Sequence, residues 1–264
     1  MSTGRSGTPS AAAELLVEQR DRVLVLTLNR PGARNAVNLA LAEQIAGALD
    51  LLDQRADLSV GVLAGNGPAF CAGMDLKGFA RGERPVVPGR GFAGLVARRP
   101  RKPLVAAVDG FALAGGFEIV LACDLIVASH RAVFGLPEVR RGLCAAGGGL
   151  LRLRERLPYH VAMELVLTGA SLNAATAHAY GLVNRLVEPG QALEAAIELA
   201  GEVARNAPLA LVASKQVFQQ ALDWPEEERF DRQEAFVGPV RLSADAREGA
   251  LAFTEKREPI WTGT

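Results

Sequence analysis

Twice in its first half the chain passes from a short apolar run into a glycine-rich turn, and this pattern constrains the fold more than any other feature. Val60–Ala64 runs into the loop Gly65–Met74; Leu104–Val108 runs into Gly110-Phe111-Ala112-Leu113-Ala114-Gly115-Gly116, a short helix to about Cys123 and a further apolar strand, Leu125–Ala128. Upstream, Val23–Leu28 (VLVLTL) reads as a strand that stops at Asn29-Arg30-Pro31-Gly32, where proline and glycine punctuate a turn. Asn38 supplies an N-cap for a helix through about Gln54, with Leu41, Ile45, Ala48, Leu49 and Leu52 on one face. Strand, helix, strand is the order of a βαβ unit, so an α/β fold with parallel pairing is predicted. In such folds ligands gather at the turns that follow the strands.

Gly78–Gly91 (GFARGERPVVPGRG) is dense in glycine, proline and arginine without a period, which predicts a mobile surface loop. Beyond residue 147 the pattern becomes helical, over about 148–156, 158–168, 173–180, 191–205, 208–222, 225–242 and 244–254, with Leu182–Val187 the one strand expected there. Helices added to an α/β core need a partner surface for their apolar faces, which suggests assembly. The organisation that follows is a disordered tail over 1–12, an α/β core over 13–199, and a helical region over 200–264 for oligomerisation and for covering the site.

With 264 residues and 49% hydrophobic side chains, the chain can bury a substantial core. Lysine plus arginine balance aspartate plus glutamate at 29 each, so neither nucleic acid nor an anionic membrane is the expected partner. The three cysteines, Cys71, Cys123 and Cys144, have no CxxC spacing, and His130, His160 and His178 form no ligand motif, which argues against a disulfide framework, a metal site or a histidine-based triad. With no signal-peptide pattern and no membrane-length apolar run, a cytoplasmic location is expected.

Chemistry concentrates at the two glycine turns, Phe70-Cys71-Ala72-Gly73-Met74-Asp75 and Ala114-Gly115-Gly116-Phe117-Glu118. Helix starts present unpaired amides, and two amides converging on one point make an oxyanion hole for a carbonyl becoming an enolate. Glu118 lies about one helical turn after Gly115 amid Phe117, Ile119, Val120 and Leu121, where an ionised carboxylate is costly without a partner. Glu138 follows Phe134-Gly135-Leu136-Pro137, with Arg140 and Arg141 as candidate ion-pair partners. Phe79, Phe92, Trp224, Phe230 and Phe236 are candidates to line an apolar tunnel or to pack the core.

The strings NRPGARNAVN (29–38), AFCAGMDL (69–76), GFALAGGFEIVLACDLIVA (110–128), FGLPEV (134–139) and TGASLNAATAHAYGLVNRLV (168–187) resemble, in this order and spacing, the crotonase or enoyl-CoA hydratase/isomerase superfamily, over roughly residues 14–262. The resemblance implies the ClpP-like crotonase α/β spiral of ββα units with a helical C-terminal trimerisation region, assembled as a trimer or a dimer of trimers. It implies the amides of Ala72 and Gly115 as oxyanion donors for a thioester, Glu118 activating the water that attacks C3, and Glu138 delivering a proton to C2. Both glutamates match the hydratase branch, hence a carbon–oxygen lyase acting on an enoyl-CoA or catalysing the reverse dehydration. An isomerase, a carnitinyl-CoA dehydratase-like enzyme and a non-catalytic acyl-CoA binder stay open beside it.

For coenzyme A, which is part of the substrate rather than a cofactor, the resemblance implies Arg34 and the backbone of Ala36, the segment Ala72, Gly73, Met74, Asp75 and Leu76, and Phe253 and Lys256 reaching a neighbouring subunit's CoA. No metal or other cofactor is implied. The sequence departs from the common pattern at Ala114, where a glycine is usual and which is tolerated if its φ is negative. It departs again at Val139–Gly148, a segment that usually borders the acyl pocket and includes Cys144, expected to be a small packing residue.

Overall fold

The run Val23–Leu28 is buried on both faces, as suits a strand covered on each side, and it lies at the centre of a layered structure. The computed structural model describes residues 13–264; the tail expected over 1–12 lies outside the described residues. In chain order the first half comprises β1 (Leu15–Arg20), β2 (Val23–Leu28), α1 (Leu39–Gln54), β3 (Val60–Gly65), β4 (Ala69–Cys71), α2 (Leu76–Ala80), β5 (Val86–Val87), β6 (Gly91–Phe92), β7 (Leu104–Val108), β8 (Phe111–Leu113), α3 (Gly115–Ala122), β9 (Leu125–Ser129) and β10 (Val133–Gly135). There follow α4 (Gly149–Arg156), α5 (Tyr159–Thr168), β11 (Ser171–Asn173), α6 (Ala174–Ala179), β12 (Arg185–Val187), α7 (Ala192–Ala204), α8 (Pro208–Gln220), α9 (Arg229–Arg241) and α10 (Ala244–Glu255).

Two sheets carry the fold. The larger has the order β1-β2-β3-β7-β9-β12 and the smaller β11-β10-β8-β4. The predicted parallel pairing of β2 with β3 is present, and β3, β7, β9 and β12 continue it. Successive strand pairs β3/β4, β7/β8 and β9/β10 each place one strand in each sheet, and a helix follows the first two pairs directly, so the chain climbs as a spiral of ββα units. On one face of the large sheet Leu24, Leu26 and Leu28 pack with Ile45, Leu49 and Leu52 of α1. On the other, Val23, Val25, Val60, Val62 and Val105 meet Ala196, Ala200 and Ala204, a stripe at every fourth position of α7 whose small side chains let the helix sit close.

The helices expected beyond residue 147 are all present, and the Asn38 side chain caps α1 by accepting from the Leu41 amide at 2.8 Å. The periodicity reading misses the edge strand β1, the two-residue strands β5 and β6, and the three-residue strands β4, β8, β10 and β11. The expected mobile loop over Gly78–Gly91 is corrected by the structure. That segment holds the end of α2 and the β5/β6 hairpin; Glu83 accepts from the Leu39 amide at 2.7 Å, and the buried Arg90 pairs with Asp50. Residues 199 and 200, between which core and helical region were expected to divide, both lie inside α7.

Asp124 ties α8 to the core. Its carboxylate accepts from the Leu104 amide at 2.8 Å, from Lys215 Nζ at 2.6 Å and from Gln219 Nε2 at 2.8 Å, while burial lowers the pKa of Lys215. Removing the acceptor strands three donors, one of them a buried cation; removing the lysine leaves Asp124 with two donors. Asp124→Ala is therefore expected to lose about 3 kcal/mol in denaturant unfolding and Lys215→Met distinctly less, with the reverse order contradicting this reading of the network.

Candidate active site

Strands β4 and β10 both pair in parallel with β8, so the three chain segments leaving their carboxyl ends start side by side. From β4 comes the turn carrying Ala72 to Asp75, from β8 comes Gly115 at the start of α3, and from β10 comes the 3₁₀ turn Pro137–Arg141 carrying Glu138. Neighbouring strands lie about 4.8 Å apart, which brings three loops within reach of one small ligand.

The first turn is built from Arg30 and Asn35. The Asn35 side chain, fully buried, accepts from the Arg30 amide and donates to the carbonyls of Asn66 and Ala69, fastening the 30–37 turn to the start of β4. Arg30 reaches Glu14 and Asp75, each at 3.0 Å, and the carbonyl of Ala36. Hydrogen bonds from Val37 N to Gly73 O (2.8 Å) and from Asp75 N to Val37 O (2.9 Å) then dock the second turn on the first.

This docking corrects one expected role. The Ala72 amide donates to the Arg34 carbonyl at 3.0 Å and so is already engaged. Because Gly73 O and Asp75 N face Val37, extended-chain alternation turns the Met74 N–H the opposite way, toward β8 and the start of α3. Among the described residues the Met74 amide finds no acceptor, and neither does that of Gly115. A side chain on Gly73, where φ is +96°, would come within 3.0 Å of the Gly115 nitrogen, and one on Gly116 within 2.2 Å of the Cys71 carbonyl. Both glycines thus permit the close approach of the two turns.

Ala114 has φ +52° and ψ −129°, not the negative φ under which alanine is comfortable. It is held there because its amide donates to Gly135 O at 2.9 Å while its carbonyl accepts from Phe117 and Glu118, so the strained residue aims the Gly115 amide away from the helix.

Glu118 is 4% exposed, and its Oε1 accepts from the Gly149 amide at 3.0 Å. Burial pushes its pKa up, against the pull of the Gly149 and Gly147 amides and the charge of Arg152. Glu138 is half-buried; its Oε2 is buried and meets no hydrogen-bond partner among the described residues. Burial and then the charge of Glu118 push its pKa up as well, so the two carboxyls sense each other. The expected ion pairs of Glu138 do not form: Arg140 donates to Thr168 O instead, and Arg141 acts on Glu138 only as a charge at a distance. Beside Glu138, Leu136, Val139, Cys144, Ala145, Leu150 and Val166 line an apolar cavity of about 80 Å³.

Of the aromatic candidates, Phe92 alone is seen at this site, its ring against Gly115; Trp224 stacks on Phe236 and Phe79 lies under Arg84. Cys71 and Cys123 are buried thiols pushed up to about 12, unsuited to nucleophilic roles, and Cys144 is exposed. Arg34 and Leu76 are exposed at the mouth of the first turn, while Ala36, Ala72, Met74 and Asp75 are half-buried and Gly73 buried. Phe253 and Lys256 stand exposed on α10, which packs on α9 and is wrapped by the C-terminal residues. Sequence reasoning missed Met74 as a donor, Gly149 and Arg152.

This arrangement, two free amides and two carboxyls that sense each other's charge on neighbouring turns beside an apolar cavity, is what a thioester-enolate enzyme needs. The family profile described as enoyl-CoA hydratase/isomerase matches residues 18–264, and the chain belongs to that family, the crotonase superfamily. It is 40% identical over 263 residues to the enoyl-CoA hydratase EchA19 of Mycobacterium tuberculosis, covering 96% of this chain and 97% of that one. It is also 40% identical over 245 residues to the mevalonyl-coenzyme A hydratase sidH of Aspergillus fumigatus, covering 90% and 91%. A crystal structure of an enoyl-CoA hydratase from Mycobacterium tuberculosis superposes with a TM-score of 0.93 at 58% identity, covering 95% of this chain and 99% of that one.

Both glutamates titrate above the ordinary 4.5, which fixes the sign of a stability effect. A carboxyl with a raised folded-state pKa holds its proton more tightly when folded, so its contribution favours folding at low pH and is lost as pH rises from 4.5 through the raised value. Glu118→Gln and Glu138→Gln proteins should accordingly melt a few degrees above the parent at about pH 8, with the gap closing toward acid pH. Melting curves with a gap independent of pH would contradict the burial argument.

Proposed function

We propose that this protein is an enoyl-CoA hydratase, adding water across the C2=C3 bond of a trans-2-enoyl-CoA to give a 3-hydroxyacyl-CoA, or running the reverse dehydration. The observation that carries this reading is the coupled carboxyl pair, Glu118 held by Gly149 and Glu138 with a buried, unpartnered oxygen, opposite the free amides of Met74 and Gly115. The activity follows that of relatives named as hydratases and agrees with the chemistry the site offers.

The thioester oxygen sits between the two amides, and the apolar acyl chain runs along Leu136, Val139 and Leu150. Glu118, ionised, accepts a proton from a water as its oxygen bonds to C3. Electrons of the double bond move onto the thioester oxygen, and the two amides stabilise the enolate; one such donor is worth roughly 3 kcal/mol of barrier. Glu138, protonated, gives its proton to C2 as the carbonyl re-forms, and burial together with the charge of Glu118 favours its protonated form. The pair acts as a unit, each carboxyl altering the other's proton affinity. Proton exchange with solvent then returns Glu118 to the carboxylate and Glu138 to the acid, and as written no cofactor enters.

The exposed Arg34 and the backbone around Ala36, Gly73 and Leu76 border the same mouth and are assigned to coenzyme A. Phe218, Leu222, Phe230, Leu242 and Phe253 stand exposed on and around α8–α10, an apolar surface suited to contact between copies in a trimer or dimer of trimers, through which Phe253 and Lys256 reach a neighbour's CoA. No helix of the described residues is long and apolar enough to cross a membrane, and a cytoplasmic enzyme fits the three free cysteines.

The test is turnover of crotonyl-CoA and a longer trans-2-enoyl-CoA in ¹⁸O-water. The product is expected to gain one water and carry the label at C3, and Glu118→Gln and Glu138→Gln to lose roughly 10²- to 10⁴-fold in kcat each. A product isomerised without uptake of oxygen points instead to double-bond migration. In a complex with a 3-hydroxyacyl-CoA, the thioester oxygen is expected nearest the nitrogens of Met74 and Gly115 rather than that of Ala72.

A further inference from the structure

The guanidinium of Arg152 is costly where it stands. It is half-buried, and burial together with the like charges of Arg99 and Arg156 pushes its pKa below the usual arginine range. Among the described residues no carboxylate lies within ion-pair distance of it, and its two hydrogen bonds go to main-chain carbonyls: Nη1 to Gly147 O at 3.4 Å and Nη2 to Val96 O at 2.5 Å. A partly desolvated cation without an ion-pair partner is costly, and its neighbours show what it serves.

What depends on it is adjacent. Gly147, Gly148 and Gly149 form the turn that opens α4, and the Gly149 amide holds Glu118. A side chain on Gly147 would touch the Glu118 carboxylate at 2.5 Å, and one on Gly148, where φ is +92°, would collide with the Arg152 guanidinium at 2.3 Å. The glycines therefore thread between the two charged groups, with Glu118 against one side of the turn and Arg152 against the other. Planar and bidentate, the guanidinium bridges the turn to Val96, in the segment that leads to β7.

We propose that Arg152 is a positioning residue for Glu118: it pins the glycine turn that aims the carboxylate, and its charge favours the ionised form needed to accept a proton from water. The inference rests on Glu118 being the base. The charged and titratable groups that bear on Glu118 are Arg152 from α4 and Glu138 from the turn after β10; Cys71 of β4, a protonated thiol, lies against the start of α3. Arg152 in turn faces the like charges of Arg99 and Arg156, which outweigh the acid Glu155, so it stands beside Glu118 as a cation without an ion-pair partner.

The sign is definite. A base must be ionised, so activity falls as pH drops through its pKa; removing a nearby cation raises that pKa and moves the acid limb to higher pH. The experiment is the pH profile of kcat/KM for crotonyl-CoA in the full-length enzyme, its Arg152→Gln and Arg152→Lys variants, with melting curves to establish folding. Arg152→Gln is expected to shift the acid limb upward by about half a unit or more and to lower kcat with KM little changed, while Arg152→Lys returns the limb close to the parent's. Coincident limbs in all three proteins, or a lysine variant shifted as far as the glutamine one, overturns the proposal.

A second readout needs no turnover. The ¹³C-carboxyl signal of Glu118, identified by its loss in Glu118→Gln, should titrate at higher pH in Arg152→Gln, and an unmoved signal also overturns the proposal. If the parent enzyme leaves enoyl-CoA unhydrated, the base role of Glu118 falls, and the carboxyl signal still decides whether Arg152 controls it. Should Arg152→Gln fail to fold, Gly148→Ala, which displaces the guanidinium without removing it, is read in the same two ways with the same expected direction.

Discussion

Parallel pairing of three very short strands governs this molecule. Strands β4, β8 and β10 carry three residues each and are stabilised little by their own hydrogen bonds; the larger sheet holds them, because each is the continuation of one of its strands. The pairing gives their carboxyl ends a common direction and a spacing of about 4.8 Å, the scale of a thioester and the two carbons beside it. Everything the site uses leaves from those ends: the Met74 amide, the Gly115 amide with Glu118 a turn later, and Glu138.

Around that frame the structure accepts local costs that a purely structural protein avoids. Ala114 sits at positive φ, Glu138 buries an oxygen without a partner, Glu118 is a carboxylate in an apolar neighbourhood, and Arg152 is a cation with carbonyls in place of acids. Two of these, and the turn beside them, are held by something better satisfied nearby. Ala114 is fixed by Gly135 and the first turn of α3, Glu118 by Gly149, and the 72–75 turn by the Arg30–Asn35 network. Strain and poor solvation collected at one point, with sound packing around it, mark where chemistry happens.

The legible part of the fold was the part with periodicity. Seven C-terminal helices, α1 with its Asn38 cap, and the strands β2, β3, β7 and β9 announce themselves through runs of apolar residues at a regular spacing, because burial on one or two faces demands it. β4, β8 and β10 are too short to show alternation and lie inside the glycine motifs, so they read as turns. The Gly78–Gly91 segment read as mobile because composition reports turn formers and not the pairs that hold them; Glu83 with Leu39 and Arg90 with Asp50 join residues about forty positions apart.

The sequence by itself determined which residues make up the candidate site: two glycine turns, Glu118 and Glu138, in a family pattern that spans nearly the whole chain. Side-chain identity and motif spacing are local properties, and they are complete in one dimension. Which backbone amides are free was decided only in three dimensions. Whether Ala72 or Met74 points at the ligand depends on which of them the 30–37 turn engages, and that turn is more than thirty residues away in the chain. The same holds for Arg152, one arginine among many until the glycine turn folds between it and Glu118. Hydrogen-bond partners and electric fields are set by distance in space, which no reading along the chain supplies.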